Sequence, residues 1–293
     1  MSDFMEELRL RTERINEDLS TFLPEEEGPQ RTILTACNYS VENGGKRLRP
    51  IFMECTYELF GGREREKLLP LMAAIEMIHS SSLVHDDLPC MDNDELRRGK
   101  PSTWAKFGVD MGTLCGDALM IYAFETALKS KLEPDILSRA VRLLAEKSGI
   151  YGMIGGQTVD VELTGSIPDP DTLRFIYEKK TAALIEAALM MGALASGADE
   201  KGVSLMEEAG RDIGMAFQIR DDILDVTSTA EKLGKSVHAD DRNAKVTWVT
   251  FYGLEQAEED VRSFTERAVS AVSLISQQSF LEELIRSLVD RSF

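Results

Sequence analysis

Apolar residues recur at helical spacing along most of the chain. In the first segment Phe4, Leu8, Ile15 and Leu19 follow this spacing, and Pro24 ends the element. The same pattern predicts further helices at 31–42, 51–60, 68–85, 112–128, 134–148, 172–195, 202–226, 254–274 and 280–289. Short alternating segments bounded by turn pairs are missing from the sequence, so the pattern predicts an all-α fold.

The predicted helices have wide apolar stripes, which is typical of helices that wrap around one another. No low-complexity linker or fixed-period repeat interrupts them, and the weakest connection is the Pro- and Gly-rich stretch 165–171. We therefore expect residues 1–293 to form a single domain, a helical bundle.

Composition narrows the class of protein. The chain has 293 residues, 43% of them hydrophobic, which is enough for a sizeable core. A net charge of -18 disfavours nucleic acids and anionic membranes as partners, because both require a basic surface.

Residues 1–11 do not resemble a secretory signal, and the apolar stretches 148–159 and 187–198 are too short to span a membrane. The four cysteines lack metal-site or disulfide spacing, so we expect a cytoplasmic protein with reduced thiols.

A cluster of aspartates closes the apolar helix at 68–85. It contains Asp86, Asp87 and Asp92, and these carboxylates would repel one another unless a cation lay between them. A hard divalent metal such as Mg²⁺ is the natural candidate, and a solvated acidic helix end is the alternative.

A second acidic cluster, 221–225, also follows apolar sequence. Asp221, Asp222 and Asp225 fall within a helical face about 100° wide. Two such clusters on separate helices could hold several Mg²⁺ ions with a diphosphate between them.

Basic residues accompany the first acidic cluster. In 44–50 (Gly-Gly-Lys-Arg-Leu-Arg-Pro), Lys46 and Arg49 follow a flexible glycine pair and suit phosphate oxygens, although a solvated basic turn is the alternative. Arg97 and Arg98 follow the aspartates directly. His79 lies two helical turns before Asp86 and shares its face, yet a single helical histidine is more often a core group.

Taken in order, these motifs resemble the trans-isoprenyl diphosphate synthases from residue 44 to residue 245. The matching set is 44–50, His79, the first aspartates with 97–101 (Arg-Arg-Gly-Lys-Pro), Gly155-Gly156-Gln157 with Asp160, Lys180-Thr181, Phe217-Gln218 and 221–225. The resemblance implies an all-α fold around a deep central cavity (the isoprenoid synthase fold), generally as a homodimer. It also implies Mg²⁺-dependent condensation of isopentenyl diphosphate with an allylic diphosphate (dimethylallyl, geranyl or farnesyl).

The resemblance assigns roles to individual residues. The metal-binding carboxylates would be Asp86, Asp87, Asp92, Asp221, Asp222 and Asp225. The allylic diphosphate would be held by Arg97, Lys180 and Lys235, and isopentenyl diphosphate by Lys46, Arg49, His79 and Arg98. Thr181 and Gln218 would face the reacting carbons.

The chain departs from the family pattern near the second cluster. The family often has glycines where this chain has His238 and Ala244, which leaves the role of Lys235 open. Gln218 is also followed by Ile219 and Arg220 rather than the frequent Ile-Gln.

Product length would be set by side chains below the first aspartates. Ser82 lies one turn before Asp86 on the same face, so a small residue there should leave the cavity open. The family assigns a similar role to Ser81. Both favour geranylgeranyl diphosphate over farnesyl diphosphate as the product, although Met120, Ile121 and Phe124 could also provide the cavity floor.

Two other functions are compatible with parts of the sequence. A class I terpene cyclase shares the aspartate-rich motif and the helical cavity, but it has no second-substrate pocket. A non-catalytic partner subunit of another prenyl synthase typically loses its acidic motifs, and both are intact here.

Overall fold

The computed structural model describes residues 3–227, 246–277 and 279–290. In the first part of the chain the helices are α1 (Asp3–Ser20), α2 (Arg31–Glu42), α3 (Leu48–Leu59), α4 (Leu69–Asp86), α5 (Thr103–Phe107), α6 (Val109–Ala127) and α7 (Pro134–Ser148). They are followed by α8 (Met153–Glu162), α9 (Pro170–Ile176), α10 (Ala183–Ala195), α11 (Glu200–Thr227), α12 (Trp248–Tyr252), α13 (Leu254–Ser273) and α14 (Phe280–Val289). The predicted all-α class is confirmed.

Contacts within the chain define two compact units. Unit 1 comprises Met1–Glu54 and Gly62–Val141, and unit 2 comprises Cys55–Gly61 and Arg142–Phe293. The expectation of a single domain stays a prediction.

Unit 1 is built around α4, which packs against α6 along its length. Every residue of α4 from Pro70 to Ile78 is buried, so this helix is enclosed by neighbours rather than amphipathic. Small residues of α6 allow close packing, because a side chain on Gly116 would overlap the ring of His85. The end of α4, where the first aspartates lie, is therefore held by a rigid core.

Unit 2 is built around α10 and α11. Every residue of α10 is buried, and α11 packs on α10 and α13. The hydrophobic core contains Tyr177, Ile219, Ile223 and Trp248, among others. The second acidic cluster lies near the end of α11 and is supported by this core.

Several local features differ from the sequence prediction, including the short helices α5 and α12, which were not predicted. The predicted helix 172–195 contains a π-helical segment, Tyr177–Ala182, between α9 and α10. Helix α8 was not predicted, because its two glycines weaken the helical signal. Strands β1 (Leu96–Arg97) and β2 (Lys100–Pro101) form a short antiparallel hairpin. The two residues that connect them, Arg98 and Gly99, both have positive φ.

None of the helices in the described part of the chain is long and apolar enough to cross a membrane.

Candidate active site

The first acidic cluster forms a compact loop at the end of α4. The amide of Asp92 donates to the carbonyl of Asp86 at 2.9 Å, and the amide of Asp94 donates to that of Asp87 at 3.1 Å. These bonds satisfy carbonyls that the helix end would otherwise leave without partners. The loop therefore folds back on the helix end and brings the backbone of Asp92 next to that of Asp86.

The aspartates of this loop have different environments. Asp87 is buried, whereas Asp86 is half-buried and Asp92 is exposed. The Nε of Arg97 donates to both carboxylate oxygens of Asp87, at 3.0 and 3.2 Å, and its Nη2 donates as well. Burial raises the pKa of Asp87, and the Arg97 guanidinium opposes that rise. The hairpin that carries Arg97 is thereby joined to the acidic loop.

A cationic cluster lies in the same unit. Arg98 donates to the carbonyl of Gly44, and a side chain on Gly45 would come within 2.7 Å of the Arg98 guanidinium. Burial lowers the pKa of Arg49 to about 10. The buried Nε of Arg49 has no hydrogen-bond partner among the described residues. A donor of this kind, close to other cations, suits an anionic ligand.

His79 belongs to this cluster and is held neutral. Burial lowers its pKa well below the ordinary value, and Arg49, Arg98, Arg47 and Arg97 lower it further. A neutral imidazole can donate one hydrogen bond and accept another. Arg49 and Arg98 thus lie close enough to His79 to act on its charge. Arg49 and His79 are half-buried, whereas Lys46 and Arg98 are exposed.

The low pKa of His79 has a consequence for stability. Above the unfolded-state pKa of about 6.5 the histidine is neutral in both states, and its contribution to stability is fully present. Below that pH the unfolded chain binds a proton that the folded chain does not, so stability falls by about 1 kcal/mol per pH unit. We expect His79→Gln to remove this part of the acid sensitivity in urea titrations between about pH 7.5 and 5.5. His85→Gln is the matched control, and equal pH slopes for wild type and His79→Gln would contradict the assignment.

Sequence reasoning did not single out Arg47 as a site residue. Its side chain is buried against Glu76 at 2.8 Å and also donates to Asn16 and to the carbonyl of Val41. Arg47 has a φ of 51°, a conformation that non-glycine residues rarely adopt. The run of three cations in 44–50 gave no sign that the middle one would point inward.

In unit 2, α8 and the π-helical segment lie in close contact. A side chain on Gly156 would overlap the backbone nitrogen of Lys180, so only glycine allows this approach. The Nζ of Lys180 then reaches the Oδ2 of Asp160 at 2.6 Å. This contact explains physically why the Gly-Gly-Gln-x-x-Asp motif accompanies Lys180-Thr181.

The π-helical segment also contacts α11. The Thr181 hydroxyl donates to Oε1 of Gln218 at 2.8 Å, and Nε2 of Gln218 lies 3.3 Å from Oδ1 of Asp222. These residues line a cavity of about 130 Å³ together with Asp160, Lys180 and Tyr177. The structure therefore brings together Lys180, Thr181, Gln218 and Asp222. The roles that the resemblance gives to these residues stay predictions.

Asp222 differs from its two neighbours in the second acidic cluster. Asp222 is buried, and it also accepts from the Tyr177 hydroxyl and the Trp248 amide. Asp221 and Asp225 are half-buried and lie one turn apart on α11. Tyr177 and Trp248 were not predicted as site residues, because neither is marked by a charge or a motif.

Lys235, His238, Ala244 and Lys245 lie outside the described residues, so the predicted role of Lys235 stays a prediction.

The carboxylates suit a hard divalent cation. Among the described residues, no group of three or more His, Cys, Asp or Glu side chains lies close enough to hold a metal ion by itself. Mg²⁺ generally takes one or two carboxylates and completes its coordination with water and substrate phosphates. The solvent-accessible Asp86, Asp92, Asp221 and Asp225 fit that mode of binding.

Comparison with known proteins places the chain in a family. A sequence model of the polyprenyl synthetase family matches residues 30–284. A geranylgeranyl diphosphate synthase from Cyanophora paradoxa is 40% identical over 278 residues, covering 90% of this chain and 92% of that protein. A farnesyl diphosphate synthase from Geobacillus stearothermophilus is 40% identical over 253 residues, covering 85% and 84%.

A solved structure supports the same family assignment. A crystal structure of a geranyltransferase from Helicobacter pylori, complexed with magnesium and isoprenyl diphosphate, matches with a TM-score of 0.86 at 33% identity, covering 99% of this chain and 97% of that one. Sequence, fold and the ordered motifs lead to one conclusion: the chain belongs to the polyprenyl synthetase family.

Proposed function

We propose that the chain is a trans-prenyltransferase that condenses isopentenyl diphosphate with an allylic diphosphate. The observation that carries this proposal is the cationic cluster of Arg49, His79 and Arg98, with its unpartnered Arg49 Nε, in a chain that also has two aspartate motifs. The aspartate motifs alone would serve one metal-bound diphosphate. A separate cationic cluster is required only if a second anionic substrate binds.

The first substrate is the allylic diphosphate. Asp86, Asp92, Asp221 and Asp225 would hold Mg²⁺ against its oxygens, with Asp87 and Asp222 as buried members of the same motifs. Arg97, Lys180 and Lys235 would bind the diphosphate directly. When bound, Mg²⁺ stabilises the negative charge that develops on the leaving diphosphate.

The second substrate is isopentenyl diphosphate. Arg49 and Arg98 would bind its diphosphate, neutral His79 would donate a further hydrogen bond, and Lys46 would add charge at the exposed side. Together these residues would hold the diphosphate end of isopentenyl diphosphate and orient its double bond.

The chemistry requires charge stabilisation rather than a tuned acid or base. The allylic carbon–oxygen bond breaks and its electron pair leaves with diphosphate, so an allylic cation remains. The double bond of isopentenyl diphosphate supplies the electron pair of the new carbon–carbon bond, and a proton then passes to the departed diphosphate. The oxygen atoms of Thr181 and Gln218 are the dipoles that would face the cationic carbons. Water must be kept out, because it would trap the cation.

We propose geranylgeranyl diphosphate as the product, in preference to farnesyl diphosphate. Ser82 is half-buried one turn before Asp86, and its hydroxyl donates to the carbonyl of His79 at 2.9 Å. Ser81 is completely buried, so its part in product length rests on the resemblance alone. Among the alternative floor residues, Ile121 is 70% exposed on α6, whereas Met120 and Phe124 are half-buried.

We expect Ser82→Phe to shorten the product by one isoprene unit, because an aromatic ring would fill the space below Asp86. Mass spectrometry of the products formed from isopentenyl diphosphate and dimethylallyl or geranyl diphosphate measures this change, from twenty carbons to fifteen. Ser82→Ala removes the hydroxyl without filling space and should leave the product length unchanged. An unchanged distribution in Ser82→Phe would show that Ser82 does not line the cavity.

We also propose a cytoplasmic homodimer. An open groove of about 810 Å³ on unit 1 is lined by apolar side chains that include Ile33, Leu114 and Ile121, and such a surface suits a second protein chain. Sedimentation equilibrium at micromolar concentration measures the state, and a monomer there would contradict the proposal.

The proposed activity is tested by incubating the purified chain with Mg²⁺, isopentenyl diphosphate and dimethylallyl, geranyl or farnesyl diphosphate in turn. Elongation to twenty carbons supports the proposal, and elongation that ends at fifteen keeps the enzyme class but changes the product. Turnover of an allylic diphosphate without isopentenyl diphosphate would indicate a terpene cyclase. No elongation from any starter would favour the partner-subunit function.

A further inference from the structure

Tyr177 makes a short hydrogen bond in the candidate site of unit 2. Its hydroxyl donates to Oδ2 of Asp222 at 2.5 Å and accepts from the Trp248 amide at 3.0 Å. The same amide lies 3.0 Å from Oδ2 of Asp222. The Tyr177 ring packs against that of Trp248 with centroids 5.6 Å apart. One phenol therefore links the π-helical segment, α11 and the start of α12.

Asp222 is committed to these contacts. Its side chain is buried, and donors among the described residues that lie within 3.3 Å of its oxygens include the Tyr177 hydroxyl, the Trp248 amide and the Gln218 amide. The Trp248 amide belongs to the first turn of α12, where backbone donors have no partner inside the helix. A buried carboxylate with three donors is held in one orientation.

In the first acidic cluster too, one aspartate is buried in fixed contacts while its neighbours stay accessible to solvent. Asp87, the second residue of its Asp-Asp pair, is buried against Arg97, and Asp222 is the second residue of the other pair. In both clusters the flanking carboxylates retain access to solvent. This repeated pattern indicates that the second aspartate of each motif positions neighbouring groups.

We propose that Tyr177 is a positioning residue that acts through Asp222, and that Asp222 orients the Gln218 amide and the start of α12 rather than binding Mg²⁺ through a free oxygen. This inference rests on the proposed function, because Gln218 is assigned there to the cationic carbons.

The orientation of Gln218 supplies the link to catalysis. A carboxylate can only accept hydrogen bonds, so Asp222 requires that Gln218 presents its NH₂ group to it. Oε1 of Gln218 then lies on the other side, where it accepts from Thr181 at 2.8 Å. If the amide were reversed, its NH₂ group would take the place of the carbonyl oxygen and repel a developing cation. Tyr177 prevents this indirectly, by fixing the carboxylate.

The proposal is tested with two variants. Tyr177→Phe removes one oxygen atom, and Asp222→Asn removes one negative charge. Both should lower kcat, Tyr177→Phe by about tenfold, because a buried carboxylate loses a donor. Half-saturating Mg²⁺ should change by less than about twofold in both variants. In the ligand-free protein, hydrogen exchange of the peptide that contains Trp248 should become about tenfold faster or more. Asp221→Asn is the matched control and should raise half-saturating Mg²⁺ while leaving exchange at Trp248 unchanged.

A double variant distinguishes action through Asp222 from an independent effect. If Tyr177 acts through Asp222, Tyr177→Phe combined with Asp222→Asn should be no worse in kcat than Asp222→Asn alone. Additive losses would overturn the proposal. The proposal would also be overturned if Asp222→Asn raised the Mg²⁺ concentration for half-maximal turnover as much as Asp221→Asn does, while hydrogen exchange at Trp248 stayed normal.

The test separates this inference from the proposed function. Exchange in ligand-free protein does not depend on turnover, so it reports on the Tyr177–Asp222 contact even if the wild-type chain elongates no substrate. Exchange of peptides from α4, in the other unit, serves as the internal check of folding. Faster exchange confined to the Trp248 peptide supports the positioning role, and unchanged exchange there in both variants overturns it.

Discussion

We expect turnover to fall by about three orders of magnitude or more when Asp86 or Asp221 is replaced by asparagine. Each change removes a negative oxygen that would hold Mg²⁺ against the leaving diphosphate, and with it the charge stabilisation that the metal would supply as the carbon–oxygen bond breaks. The substitution preserves side-chain size. Both residues are half-buried, Asp86 as the last residue of α4 and Asp221 within the last two turns of α11, so the fold should be unaffected.

The measurement is kcat with both substrates saturating, over a wide range of Mg²⁺ concentrations. Asp135→Asn provides the matched control, because Asp135 is an exposed aspartate in the first turn of α7 and belongs to neither acidic cluster. It should retain wild-type turnover. A normal rate in Asp86→Asn or Asp221→Asn at saturating Mg²⁺ would mean that the acidic clusters are not the metal site.

Glu76→Ala should destabilise the folded chain by about 3–5 kcal/mol. Glu76 is buried in α4 and forms an ion pair with buried Arg47, so its removal leaves a guanidinium charge without compensation in the core. Equilibrium urea unfolding measures the loss, provided that the slope of the transition is unchanged.

The control for Glu76 is a pair of similar geometry at the surface. Glu64 accepts from Lys67 at 2.7 Å but is exposed, so Glu64→Ala should cost less than about 1 kcal/mol. Equal losses in the two variants would contradict the importance of burial. Because Arg47 lies between the two glycines and Arg49, Glu76→Ala should also weaken binding of isopentenyl diphosphate.

The buried pair explains how a loop of three cations keeps its shape. Arg47 uses its guanidinium to join α1, α2 and α4, through Asn16, the Val41 carbonyl and Glu76. Arg49 keeps a donor for a ligand. One arginine of the motif is therefore structural, while the other keeps a donor that is unpaired among the described residues and would suit the proposed substrate. This separation places a strongly charged loop against a hydrophobic core.

Helix positions and fold class could be predicted from the sequence, because helical periodicity depends on residues within one or two turns. Helices α2, α7 and α14 occur at the predicted bounds, and α4 and α13 differ by a single residue at one or both ends. The hairpin at Leu96–Pro101 and the π-helical segment were not predicted. The hairpin is too short for a strand pattern, and the π-helical segment looks like ordinary helix when only sequence is considered.

The candidate site could be predicted only in part. The sequence by itself determined which residue types are present and in what order: two aspartate motifs, a glycine-flanked cationic loop and the Lys180-Thr181 pair, enough to indicate the family and its chemistry. Only the tertiary structure decided that Asp87 and Asp222 are buried, that Arg47 pairs with Glu76, and that Tyr177 links Asp222 to Trp248. The physical reason is that the environment of a side chain depends on elements distant in the chain. Tyr177 and Asp222 are 45 residues apart, and Arg47 and Glu76 are 29 apart. Periodicity shows which face of a helix is buried, but not which donor or charge will lie against it.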